Sequence, residues 1–134
     1  MGTLSDKKPQ GLRLAGADGM TIERINPAQH WSQIVIHGDI VYLVGTTAKD
    51  TSQDVKGQTR QVLSTIDELL ARAGTDKTKL LTAQIWLRDI NDWSKMNEVW
   101  DAWIAPGNAP TRATVEAKLA SPDLLVEIMV QAAK

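Results

Sequence analysis

A chain of 134 residues with 15 Lys and Arg against 16 Asp and Glu has a net charge of −1. That balance gives no electrostatic footprint for nucleic acid or for an anionic membrane surface. Hydrophobic residues make up 43%, enough for one domain with a real core, and the absence of cysteine excludes disulfides, thiol nucleophiles and thiolate metal sites while fitting a reducing compartment.

No apolar run approaches the ~20 residues of a membrane span. Residues 1–19 lack the apolar segment of a signal peptide, so the expected address is the cytoplasm. The same residues are rich in Gly, Lys and Asp and show no periodicity. They read as an N-terminal extension outside the core, flexible or expression-derived, because Met20 begins what looks like a natural start. Residues 20–134 read as a single domain.

In chain order, Thr21 to Ile25 is a short first strand, and Asn26 to His30 is a loop leading to Trp31. Ser32 to His37 and Ile40 to Thr46 are strands joined by Gly38-Asp39, where glycine in first place suits a type II′ turn. Val41 and Leu43 are expected on the core side, with Tyr42, Val44 and Thr46 opposite. Gly45 marks a place of close approach by a chain or ligand. After a polar loop, Asp54 to Ala73 reads as a helix whose stripe is Val55, Thr59, Val62, Leu63, Ile66, Leu69, Leu70 and Ala73, with Gly74 just past its end. Leu80 to Leu87 is the next strand, with Leu81, Ala83, Ile85 and Leu87 expected inward and Thr82, Gln84 and Trp86 outward.

Asn91-Asp92 supplies an N-cap for a second helix. Its stripe is Trp93, Met96, Val99, Trp100, Trp103 and Ile104, read as core packing rather than a ligand cage. Pro106-Gly107 ends it. Pro110 to Leu119 is a strand with Ala113, Val115, Ala117 and Leu119 expected on the core face and Arg112, Thr114, Glu116 and Lys118 on the other. Ser121-Pro122-Asp123 is a turn. The last strand places Val126, Ile128, Val130 and Ala132 inward and Leu125, Glu127, Met129 and Gln131 outward. Arg112 and Glu127 are thus expected to share one sheet face, opposite the core. A guanidinium fork holds a carboxylate by two parallel hydrogen bonds, and a nearby Glu can activate a water. Glu116 is the rival partner for Arg112.

The element order β-β-β-α-β-α-β-β describes an α+β fold: a mixed six-stranded sheet with two helices on one face. The other face, with Tyr42, Val44, Trp86, Leu125 and Met129, is too apolar for a monomer's surface, so it is expected to pack against other copies of the chain. His30 and His37 lack a third ligand at metal spacing. Ser32 lacks His and Asp support for a nucleophile. Asp67-Glu68 reads as a solvated helix face.

One signature is specific. Pro110-Thr111-Arg112-Ala113-Thr114-Val115, then Lys118-Leu119, then Val126-Glu127-Ile128, with Asn97 upstream, resembles the Rid family (reactive intermediate deaminases, YjgF type) over residues 20–134. Trp31-Ser32, Val35-Ile36-His37, Met96-Asn97 and Trp100-Asp101-Ala102-Trp103 resemble its YoaB-like branch most. The resemblance implies a homotrimer of chorismate mutase-like fold with clefts between subunits. It also implies hydrolysis of imines and enamines to 2-oxo acids and ammonia, without cofactor or metal. Arg112 maps to the arginine that binds the substrate carboxylate and Glu127 to the glutamate that positions the water. Asn97 maps to a polar cleft residue and Gly45 to the strand glycine. Trp31, Val44 and Thr114 stand where the best-studied deaminases have tyrosine, serine and cysteine. Trp31 is expected as a cleft wall, and Val44 and Thr114 as substrate contacts. The alternative reading is a non-catalytic trimer that binds small carboxylates or a protein partner. An endoribonuclease, suggested for some relatives, finds no basic stripe here.

Overall fold

Eight elements follow one another: β1 (Ile22–Pro27), β2 (Ser32–His37), β3 (Ile40–Leu43), α1 (Val55–Arg72), β4 (Leu80–Leu87), α2 (Trp93–Trp103), β5 (Thr111–Glu116) and β6 (Val126–Ala133). They are seen in a computed structural model that describes residues 21–134; the extension expected over residues 1–19 lies outside the described residues. The strands form one mixed sheet in the order β1-β2-β3-β6-β4-β5. Only the β4–β5 pair is parallel. The turn between β2 and β3 has positive φ at Gly38 alone, as a type II′ turn requires.

One face of the sheet is the core. Ile34, Val41, Ile85, Val126 and Ile128 lie against Val62, Leu63, Ile66 and Leu70 of α1 and Met96 of α2, all buried. The stripe read from the sequence of α1 is the buried face. Asp54 caps this helix by accepting from the Gly57 N–H at 2.9 Å. At its far end Gly74 takes positive φ, and the Thr75 N–H closes back on the Leu70 carbonyl at 2.9 Å. For α2 the expected cap differs. Asp92 makes no side-chain cap; Asp89 instead accepts from the Asn91 N–H and caps a preceding 3-10 turn, Ile90–Asp92. No described helix is long and apolar enough to cross a membrane.

Three strands depart from the facing expected of them. The register of β3 with β6 slips by one residue after Tyr42↔Gln131, so that Thr46 bridges to Ile128. This bulge turns Thr46 to the core side, where it is 6% exposed, instead of leaving it beside Tyr42 and Val44. A second irregularity falls between Leu80 and Thr82 of β4. It buries Leu80 and leaves Leu81 41% exposed, the reverse of the expected order.

The third departure is β5. Its parallel register pairs Arg112 with Ala83 and Thr114 with Ile85, both residues of the core face. Cross-strand partners share a face. Arg112, Thr114 and Glu116 therefore point to the helix side, while Ala113 and the 44% exposed Val115 point to the open face. The expectation that β5 turns its small apolar residues inward is overturned. At this edge of the sheet the helix side holds the guanidinium against α2, whereas the open face is the apolar one.

Candidate functional site

Arg112 reaches α2 from the end strand β5. Its Nη1 donates to Asn97 Oδ1 at 2.7 Å. Its guanidinium carbon lies 5.6 Å from the Trp93 ring centroid and 5.4 Å from that of Trp100, within cation–π range. Trp93, Asn97, Trp100 and Asp101 recur at helical spacing, so one face of α2 presents all four. Asn97 is itself tied: its Nδ2 donates to Asp101 Oδ2 at 3.2 Å. Burial lowers the Arg112 pKa from its ordinary value, and the Asp101 charge opposes that shift. The group stays cationic at neutral pH.

No carboxylate forms an ion pair with Arg112 among the described residues. The rival partner Glu116 is engaged elsewhere, accepting from the Ile90 N–H at 3.0 Å. Thr114 lies two residues beyond Arg112 on the same face. Its hydroxyl is buried and has no hydrogen-bond partner among the described residues. A buried polar atom without a partner is unusual and marks a place where a ligand or water belongs. The α2 side of β5 thus presents a half-buried cationic fork and, two residues on, a buried hydroxyl without a partner among the described residues.

Glu127 belongs to the other side of the sheet. It pairs in register with Trp86, and Met129 follows it on the same open face. Its carboxylate is half-buried, and burial raises its pKa above the ordinary 4.5. Gly45, in the bulge after β3, makes its room: a Cβ built there would overlap Glu127 Oε2. The close approach expected at Gly45 is therefore that of the Glu127 carboxylate. Val44 lies next to it, its N–H bonded to the Gln33 carbonyl at 3.0 Å. Trp31 is 60% exposed just before β2, tilted against the His30 ring.

The expected sharing of one face by Arg112 and Glu127 is corrected by these registers. The two residues project from opposite faces, and their strands are two steps apart in the sheet, roughly 10 Å. Trp31 adjoins a strand four steps from β5, roughly 19 Å. Within one chain the candidate residues separate: Arg112, Asn97 and Thr114 gather under α2, Glu127 and Gly45 meet on the open face, Val44 packs against the core, and Trp31 stands exposed before β2. A small ligand cannot touch both Arg112 and Glu127 of one chain. A shallow depression of about 510 Å³ is lined by Tyr42, Gln84, Ala113, Met129 and Gln131 together with Arg112 and other residues of β3 to β6.

Sequence reasoning missed Asp101, although its spacing of four from Asn97 on a helix was a usable signal. Reading Trp93 and Trp100 only as core also fell short. Trp100 is buried, but Trp93 is 40% exposed and both flank the guanidinium. Asp67, read as solvated, accepts from the Trp103 indole N–H at 3.0 Å and ties the two helices. Among the described residues no three His, Asp or Glu side chains converge as a metal site would need.

Comparison with known proteins agrees with this architecture. The sequence model of the family described as "Endoribonuclease L-PSP" matches residues 21–134. A RutC family protein of Haemophilus ducreyi is 45% identical over 112 residues, spanning 84% of this chain and 96% of the relative. The RutC family protein YoaB of Escherichia coli is 42% identical over 114 residues, spanning 85% of this chain and 99% of the relative. A solved structure of a YjgF family member from Neisseria meningitidis aligns with a TM-score of 0.84 at 40% identity, covering 87% of this chain and 97% of its own.

Proposed function

The chain belongs to the Rid family, also called YjgF or RutC, and from that premise we propose that it hydrolyses reactive 2-imino and 2-enamino acids to 2-oxo acids and ammonia. The work is done in the cytoplasm by a homotrimer of chorismate mutase-like fold, at clefts between subunits, without cofactor. The observation that carries this reading is the Arg112 guanidinium, half-buried, steered by Asn97 and free of any carboxylate partner among the described residues. A desolvated cation held open in this way suits a small carboxylate.

Each cleft joins the Arg112 group of one copy to Glu127 of the partner subunit. The substrate carboxylate lies in the Arg112 fork, and the Thr114 hydroxyl takes a hydrogen bond from, or gives one to, the substrate. An enamine first gains a proton on carbon and becomes the protonated imine. Water then adds to its carbon, and a water proton passes to Glu127 of the partner subunit. Glu127 of the partner subunit returns that proton to the nitrogen, which leaves with the C–N electron pair as ammonia, and the remaining hydroxyl gives its proton to the freed carboxylate to form the 2-oxo acid. No covalent enzyme intermediate is needed, because the imine carbon is already electrophilic. Catalysis comes from orientation and from one well-placed base. Burial of Glu127 makes it a stronger base than an exposed carboxylate.

An amino-acid oxidase generating imine in the presence of semicarbazide tests the proposal. The wild-type protein is expected to suppress semicarbazone formation and speed 2-oxo acid release. Arg112→Ala should abolish that effect while retaining a cooperative thermal transition. Wild-type protein without effect on imines of several side chains would leave a carboxylate-binding shell, and full activity in Arg112→Ala would remove the guanidinium from its role.

A further inference from the structure

Asparagine is nearly symmetric in shape, so its amide orientation is set by its partners. Arg112 offers donors only, and Asn97 meets it with Oδ1 at 2.7 Å. That orientation leaves the Asn97 NH₂ at the other end in need of an acceptor. Asp101, one helical turn further along α2, supplies Oδ2 at 3.2 Å. With the amide turned over, a donor would face the guanidinium and an oxygen would face a carboxylate, losing both bonds. An ionised carboxylate accepts and cannot donate, so it decides which way the amide points.

We infer that Asp101 is a positioning residue, which acts through Asn97 to hold the Arg112 guanidinium at one angle beneath Trp93 and Trp100. The inference rests on the proposed role of Arg112 in gripping a substrate carboxylate. Asp101 itself is exposed and bonds to the amide rather than to the guanidinium. Its negative charge also favours the cationic form of Arg112 against burial. An arginine side chain loses rotamer freedom when it binds a planar anion. Fixing it beforehand lowers that cost in the ground state and the transition state alike.

Asp101→Asn removes the charge and the obligate acceptor at constant size, and Asp101→Glu keeps both. Two measurements separate positioning from mere stability. In the first, the ¹⁵N signals of the Arg112 guanidinium and the Asn97 amide are followed in the free protein. Wild type and Asp101→Glu are expected to show slowed guanidinium rotation, and Asp101→Asn is expected to show averaged signals with an unchanged melting temperature. In the second, imine turnover by Asp101→Asn is expected to show KM raised about tenfold with kcat held within about twofold, the pattern of uniform binding loss. On an Asn97→Ala background the Asp101→Asn change should add nothing, because its route is gone. Unchanged ¹⁵N signals in Asp101→Asn overturn the inference, as does a full additional effect on the Asn97→Ala background. If wild type turns over no imine, the deaminase reading fails, and the ¹⁵N arm alone decides whether Asp101 positions Arg112.

Discussion

An Arg112→Ala chain and a Glu127→Gln chain, each inactive alone, are expected to be active when assembled together. The reason lies in the sheet. Arg112 leaves β5 toward α2 and Glu127 leaves β6 toward the open face, so no single copy can close a site around both. A site that takes its guanidinium from one copy and its carboxylate from the next needs one intact donor of each kind. In a cyclic trimer containing both variants, in either proportion, one of the three junctions meets that condition, so protein carrying both tags should reach about one third of wild-type turnover per trimer. An unselected equal mixture, in which each donor is intact half the time, should reach about one quarter. Sites closed within a chain would leave either sample at the background of the variants. The two chains would be co-expressed with different tags, purified on both in succession, weighed intact by native mass spectrometry and assayed by semicarbazone suppression. Mixed trimers confirmed by mass but inactive would refute shared sites.

Gly45→Ala should swing the Glu127 carboxylate aside, since a Cβ there overlaps the movable Oε2 rather than backbone; kcat is expected to fall about a hundredfold for a displacement near 1 Å, with the melting temperature little changed. Because burial raises the Glu127 pKa above 4.5, the ionised form costs stability at neutral pH, and that cost disappears as pH falls below the unfolded value. Glu127→Gln should therefore melt above wild type near pH 7 and with it near about pH 3, while the acid limb of wild-type kcat/KM should lie above 4.5. Gln58 is wholly buried, donates to the Thr51, Gln53 and Asp123 carbonyls and accepts from the Leu125 N–H at 2.9 Å. Gln58→Leu should lose roughly 2–4 kcal/mol in urea denaturation by leaving those groups unpaired.

The helices were legible because their periodicity is strong and one-sided: the stripe from Val55 to Ala73 has a single reading, and it is the buried one. Alternation in a strand carries less. It separates two faces without saying which is the core, and in β5 the small apolar set of Ala113 and Val115 looks like an inward row. The deciding fact was the pairing of Arg112 with Ala83, which depends on β4 and cannot be read from β5 alone. Bulges hide in the same way. Either of two adjacent leucines could serve as the inward residue at Leu80-Leu81, and nothing in their side chains reveals the slipped register. Gly45 was the readable trace of the other bulge, since a residue without a Cβ inside a strand asks what fills its place. Arg112, Asn97 and Glu127 were singled out by motif, and motif spacing is silent on which side of a sheet they stand.

Placing Arg112 and Glu127 on opposite faces has a chemical consequence. Side by side on one face, a guanidinium and a carboxylate with rising mutual attraction in a partly desolvated pocket would bond to each other. In the proposed deaminase, the fork meant for a substrate carboxylate would then be filled by the protein's own. The raised pKa that would suit Glu127 to the proposed role of base would also be lost, because a neighbouring cation holds a carboxylate's pKa down. In the folded chain neither group has an ion-pair partner among the described residues: Arg112 is held by a neutral amide and two indoles, and Glu127 fills the space left by a glycine. Assembly can then bring the two charges to either side of a cleft, at a separation set by the packing of one sheet on another rather than by the contact distance of a salt bridge. Under the proposed function, a substrate carrying its own carboxylate would satisfy the cation and leave Glu127 free to work on water, which is the division of labour that imine hydrolysis requires.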